Sequence, residues 1–244
     1  MYKEDAKKVH DAMFPGFELN ENDPDYDYSV RYENWAYAEV IPSNDLPDRL
    51  RVLCTLATCM GCGAVDEFGF LIPSAINAYG VTPEEIKEVV YQGTAYLGMA
   101  RVYPFLARTN EVFKNLGIEE AKESRLTNTD ETRQPTGTQC QVDIFGDHMK
   151  EYYKGGTMNY WLASNCFGDY YTRKPLNLQE REMITFCYLI AQGGCEPQVK
   201  AHIGGNIHVG NDTAFLTKVV HQMVPYIGYP RSLNALACIK EFEK

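Results

Sequence analysis

Three side chains of chemically useful type fall at helical spacing around Cys195-Glu196-Pro197-Gln198-Val199-Lys200-Ala201-His202. If residues 196 to 209 form a helix, Cys195 stands at its entrance, and Gln198 and His202 follow at i+3 and i+7 on one stripe. A thiol at a helix N-terminus feels the positive end of the dipole and unpaired N–H groups, which lower its pKa and raise its thiolate fraction. A histidine two turns further along can relay a proton at neutral pH. Each also has a plainer reading, Cys195 as a small packing residue and His202 as a satisfied core histidine. His208, six residues beyond His202, points to a different face, towards a unit interface or solvent. Gln198, His208 and Tyr171 are the candidate substrate contacts, and the pocket shape depends on how the aromatics Trp35, Trp161, Tyr170 and Tyr171 fold over the site.

Cys59-Met60-Gly61-Cys62 is the one C-x-x-C in the chain. Such a pair, with a lowered pKa, can run thiol–disulfide exchange, and two adjacent packing cysteines are the alternative. Phosphate-binding loops, H-E-x-x-H and G-x-S-x-G are absent, and a His-to-His spacing of six suits no common zinc pattern, so no metal site is expected.

The elements that must position these residues come in two copies. Setting residues 46–113 against 176–243 without a gap pairs Leu46 with Leu176, Arg51 with Arg181, Thr55 with Thr185, Gly63 with Gly193 and Gly80 with Gly210. The agreement is densest at the end, where Gln92, Tyr96, Gly98, Arg101 and Glu111 match Gln222, Tyr226, Gly228, Arg231 and Glu241. A repeat of this kind decides the architecture before any single element is assigned. Within each copy, apolar residues recur at spacings of 3 and 4 with Gly or Pro at the joints, which predicts antiparallel helices and an all-α chain. The helices are expected near 46–62, 66–79, 83–97 and 100–115, then near 178–192, 196–209, 213–227 and 231–243. Gly80-Val81-Thr82-Pro83-Glu84-Glu85 marks the sharpest boundary: a glycine end, a Thr82 cap, Pro83 in the first position and Glu85 completing a capping box. Leu126 to Thr138 (LTNTDETRQPTGT) has the composition of a connecting loop, so the units are read as residues 1–125 and 139–244 with a linker at 126–138. Arg101 and Arg231, matched in both copies, read as structural ion-pair partners.

Composition narrows the partners. With 23 Lys and Arg against 33 Asp and Glu, the formal charge of -10 opposes nucleic-acid binding. No apolar run reaches the length of a membrane helix, and the start lacks the apolar block of a signal peptide, so the expected address is the cytoplasm. Eight cysteines at this length read as reduced thiols.

The second half runs from Arg173-Lys174-Pro175-Leu176 through Arg181-Glu182, Gly193-Gly194-Cys195-Glu196 and His202 to Tyr226-Ile227-Gly228-Tyr229-Pro230. It resembles the carboxymuconolactone decarboxylase and alkylhydroperoxidase D-like superfamily, with its R-x-G-L opening, R-E helix start, single-His helix and Y-x-G-x-P turn. Pro175 stands where that opening has Gly, and Ile72 stands in copy one where copy two has His202. The resemblance implies two tandem copies of an alkylhydroperoxidase D-like helical unit, assembly into a homo-oligomer, as a trimer of doubled units, and a site without organic cofactor. It also implies that Glu182 is the acidic member of a proton relay, brought to His202 by an antiparallel neighbour; an exposed first-turn carboxylate is the plainer alternative. The redox members carry cysteines seven and four residues before the His, positions held here by Cys195 and Gln198, and by Val65 and Phe68 in copy one. Acid–base decarboxylation or lactone processing of a small carboxylate, with His202, Glu182 and Cys195 as the catalytic set, is therefore the first expectation. A thiol peroxidase acting on a hydroperoxide through Cys195, or through Cys59 and Cys62, is the second, and a non-catalytic oligomeric binding protein the third.

Overall fold

The computed structural model describes residues 1–120 and 122–243, and every regular element among them is helical. Copy one comprises α1 (Glu4–Met13), α2 (Tyr26–Trp35), α3 (Asp48–Cys62), α4 (Val65–Asn77), α5 (Pro83–Leu97) and α6 (Met99–Asn115). Copy two comprises α7 (Arg133–Phe145), α8 (Thr157–Trp161), α9 (Leu178–Gln192), α10 (Glu196–His208) and α11 (Thr213–Lys240). No helix among the described residues is long and apolar enough to cross a membrane.

The helix starts follow from local chemistry. The Thr82–Glu85 capping box forms as the sequence predicts, and a second box, Asn177 with Glu180, opens α9. α11 is two helices joined at Gly228, whose φ of 70° is left-handed, and Gly98 makes the same break between α5 and α6 with a φ of 77°. Both lead-ins widen into π-helix, at Ala36–Val40 after α2 and at Leu162–Tyr171 after α8, and the second delivers Tyr171 to the interior.

At the centre, α3 and α9 lie side by side in the same direction. Their starts are joined by Arg49, which donates to Glu180 of copy two at 2.6 Å and to Glu85 of copy one, the acidic members of the two capping boxes. Their ends meet where Cys62 Sγ approaches the Ala191 carbonyl. The flanking helices bridge the copies: α5 packs on α3 and α6 of its own copy and also on α9 and the π-helical 162–171 segment, and α11 packs on α9 and α10 and also on α3. One buried network seals the junction between α5 and α9, with Arg181 Nη1 donating to Gln92 Oε1 at 2.7 Å, Gln92 Nε2 to Thr185 Oγ1 at 2.8 Å, and Arg181 paired with fully buried Glu88 at 3.2 Å. A buried cation is tolerated when it is both paired and hydrogen-bonded, as here.

Two expectations are corrected. The stretch 126–138 is not loop throughout, because Arg133–Thr138 opens α7. Pro135 sits in the first turn, where its missing N–H removes no helix bond, and Gly137 lets α7 press directly onto the π-helical segment. Arg133 secures the contact by donating to the Ser164 carbonyl at 3.3 Å and pairing with Asp169. Arg101 and Arg231 form no ion pair among the described residues. Both serve the C-terminal end of α3 instead, Arg101 donating to the Gly61 carbonyl at 3.2 Å and Arg231 to Cys62 Sγ at 3.7 Å, where the helix dipole favours a cation.

A Cβ at Gly137 would stand 1.8 Å from the Ala163 carbonyl oxygen and 2.5 Å from the Gly168 nitrogen, both backbone. Gly137→Ala should therefore destabilise the chain by about 1–3 kcal/mol or more. Chemical denaturation reads the change, and an unaltered midpoint would show that this contact is not close.

Candidate active site

Glu182 lies one turn into α9 and is fully buried, not an exposed first-turn carboxylate. α10 runs back antiparallel along α9, and His202 Nδ1 meets Glu182 Oε2 at 2.8 Å. Gly205 makes the approach possible, since a Cβ there would sit 2.6 Å from that oxygen and under 3 Å from Phe145 and Ile144. Asn206 pins the two helices together, its amide donating to the backbone carbonyls of Glu182 at 3.0 Å and His202 at 2.8 Å.

The other oxygen of Glu182 accepts the Tyr171 hydroxyl at 2.8 Å. Tyr171 also meets Thr185 Oγ1 at 2.6 Å and the Tyr96 hydroxyl, on α5 of copy one, at 2.7 Å. Proton counting orients the chain of bonds. A phenol has one hydrogen, and Tyr171 gives it to Glu182, so Thr185 and Tyr96 must donate to Tyr171. Burial, and then the neighbouring charge of Glu182, push the Tyr171 phenol well above its ordinary value, so it stays a neutral donor. Burial does the same for Tyr96, with smaller contributions from Cys166 and Glu182.

A carboxylate only accepts, so Nδ1 of His202 carries a hydrogen and Nε2 is the atom left for chemistry. Among the described residues Nε2 has no hydrogen-bond partner, and the residue is 8% exposed. The rings of Tyr96 and Phe145 stand edge-on to the imidazole at 5.4 and 5.5 Å. The cluster thus holds an oriented, nearly dry imidazole with one free nitrogen, the arrangement of a general acid or base.

The structure brings together Glu182, His202 and Tyr171 of the sequence-derived candidates. Tyr171 is engaged with Glu182 and 2% exposed, which places it behind the imidazole and not over a pocket mouth. Cys195 stands apart. Its sulfur turns back to the Leu189 carbonyl at 3.3 Å, away from the N–H groups of α10, and burial, only partly offset by Gln192, pushes the thiol up instead of down. Two helical turns, roughly 10 Å along the axis, separate Cys195 from His202. It lines a crevice of about 20 Å³ beside Val199 and Cys238. Gln198 and His208 are exposed and join neither group. Cys59 is buried and Cys62 half-buried, both are free, and burial raises both thiols, with Arg231 and Arg101 relieving Cys62 in part. Sequence reasoning missed Tyr96, Thr185, Phe145 and Asn206. Tyr96 and Thr185 were visible only as repeat-matched residues, which reads as packing.

In copy one the corresponding positions are apolar: Val52 for Glu182 and Ile72 for His202. Among the described residues no three His, Cys, Asp or Glu side chains come together in a way that would hold a metal ion.

Comparison with known proteins agrees with the duplication. The sequence model of the carboxymuconolactone decarboxylase family matches twice, over residues 27–110 and 158–241. A stretch of 103 residues is 32% identical to 4-carboxymuconolactone decarboxylase of Acinetobacter baylyi, covering 42% of this chain and 76% of that protein.

Removing the Tyr171 hydroxyl leaves a buried carboxylate one donor short. Tyr171→Phe should lose about 1–3 kcal/mol of stability, whereas Tyr170→Phe, at a half-buried neighbour, should change little. Equal denaturation midpoints for both variants would show that the bond to Glu182 contributes nothing.

Proposed function

Since the chain belongs to the carboxymuconolactone decarboxylase family and carries its unit twice, we propose that it decarboxylates, or processes the lactone ring of, a small carboxylated substrate. The chemistry is acid–base, centred on His202, with no organic cofactor. The observation that carries this reading is the 2.8 Å bond from Nδ1 to buried Glu182, which leaves Nε2 of an oriented imidazole unengaged.

Loss of carbon dioxide from a substrate carboxylate leaves an electron pair on carbon that must be protonated. The imidazolium of His202 gives its Nε2 proton to that carbon and becomes neutral, then regains a proton from water. Glu182 holds the ring in place, and the walls of Tyr96 and Phe145 limit water around the reacting atoms. Cys195 has no step in this scheme.

A thiol peroxidase needs a thiolate, and burial raises the thiols of Cys195, Cys59 and Cys62, so the hydroperoxide reading is the weaker one. 4-Carboxymuconolactone, in the name of the Acinetobacter relative, is the compound to assay first. Replacing His202 with Ala should lower turnover about 100- to 10,000-fold. Undiminished turnover would end the assignment.

The two units are taken as residues 1–125 and 139–244, joined through 126–138, whose second half opens α7. Assembly into a ring of three chains accounts for a repeated surface. Met99 and Tyr103 on α6, and Tyr229 and Leu233 at the matched positions of α11, are exposed apolar pairs one helical turn apart. Sedimentation should give three times the mass of one chain, and Tyr103→Arg with Leu233→Arg should give single chains. A wild-type monomer would refute the assembly.

A further inference from the structure

Tyr96 is the one member of the His202 cluster contributed by copy one, and it meets the cluster twice. Its ring stands against the imidazole at 5.4 Å, and its hydroxyl is 2.7 Å from that of Tyr171. Tyr171 in turn holds the oxygen of Glu182 that His202 does not. Of the line Tyr96–Tyr171–Glu182–His202, Tyr96 is also the residue with appreciable solvent contact, for Tyr171 and Glu182 are buried and His202 nearly so.

We infer that Tyr96 is a positioning residue for the chemistry of copy two, acting through Tyr171 on Glu182 and, by ring contact, on the imidazole. The inference rests on the acid–base reading of His202. It changes the part assigned to copy one, which supplies a working side chain to its neighbour as well as a wall.

The physical basis is the direction of the bonds. The Tyr171 oxygen has two lone pairs, filled by the hydroxyls of Tyr96 and Thr185, while its single hydrogen goes to Glu182. Donation to a phenol oxygen polarises its own O–H and strengthens the bond that it makes onward. Thr185 is itself held by Gln92 Nε2 at 2.8 Å, so α5 fixes both donors at once, one directly and one through a neighbour. With both in place, Glu182 has one orientation, and the Nδ1–H of His202 has one acceptor.

The repeat supplies its own control. Tyr226 is the counterpart of Tyr96 in the turn before Gly228, and it comes from copy two to face copy one. There valine and isoleucine stand at the positions of the glutamate and the histidine, and Tyr226 lines a cavity with Tyr32, Cys59 and Glu67, so its hydroxyl has no line to an imidazole to support. A merely structural role for the matched tyrosines would make the two positions behave alike.

The test uses the full chain and two readouts. The first is the downfield proton resonance of His202 Nδ1–H, identified by its absence in His202→Ala and observed without substrate. The second is kcat against KM over pH. Tyr96→Phe should shift the resonance and speed its exchange with water, and lower kcat about 3- to 10-fold with KM little changed and the kcat–pH profile displaced. Tyr171→Phe should act in the same direction, and Tyr226→Phe should leave both readouts unchanged. An unmoved resonance in Tyr96→Phe, or an equal effect of Tyr226→Phe, overturns the inference. A shifted resonance in a chain that turns over no carboxylated substrate would uphold the positioning and defeat the acid–base reading, so the two fail separately.

Discussion

The second half of this chain is organised around a carboxylate with no water to turn to. Glu182 is fully buried, and an unpaired charge in that setting is strongly unfavourable. Each of its oxygens is therefore matched, one by an imidazole and one by a phenol. These partners dictate what surrounds them. α10 must lie close enough for His202 to reach, which requires Gly205 at the crossing. The π-helical segment must end with Tyr171 turned inward, and α5 must arrive from the other copy to satisfy Tyr171. The helices of the site are placed by a polar demand as much as by apolar burial.

Copy one shows the same scaffold freed from that demand. With valine and isoleucine at the positions of the glutamate and the histidine, no such buried pair forms at that place, and the core closes on Ile72 with no exposure. The glycine breaks at 98 and 228 and the bridging flanking helices persist in both. The fold does not depend on the site, although the site depends on the fold.

Features carried by neighbouring residues were legible in the sequence, and features carried by distant pairs were not. The repeat register, the Thr82 box and the turns at Gly98 and Gly228 are local, and the structure has them as expected. Glu182 and His202 could be brought together because an antiparallel pair of adjacent helices joins them across 20 positions. Cys195 misled because position at a helix start says nothing of where the sulfur points, and it points at the carbonyl of Leu189. Gln198 misled because a shared stripe with His202 can still face solvent at one end. Tyr96 was out of reach, since its bond to Tyr171 spans 75 residues and depends on α5 reaching across to the other copy. The helical start of α7 was hidden by Thr, Pro and Gly, residues that signal a loop until a partner backbone presses against them.

The reach of α5 and α11 into the opposite copy bears on how such a chain can diverge. In a pair of identical separate units built this way, every position exists twice, and a substitution that empties one site empties the other. Covalent fusion removes that constraint. Once the helix serving each site is encoded in the opposite half, Tyr96 and Tyr226 become independent loci, and one cleft can drift while selection holds the other. The asymmetry between Ile72 and His202 is the kind of record that such uncoupling leaves.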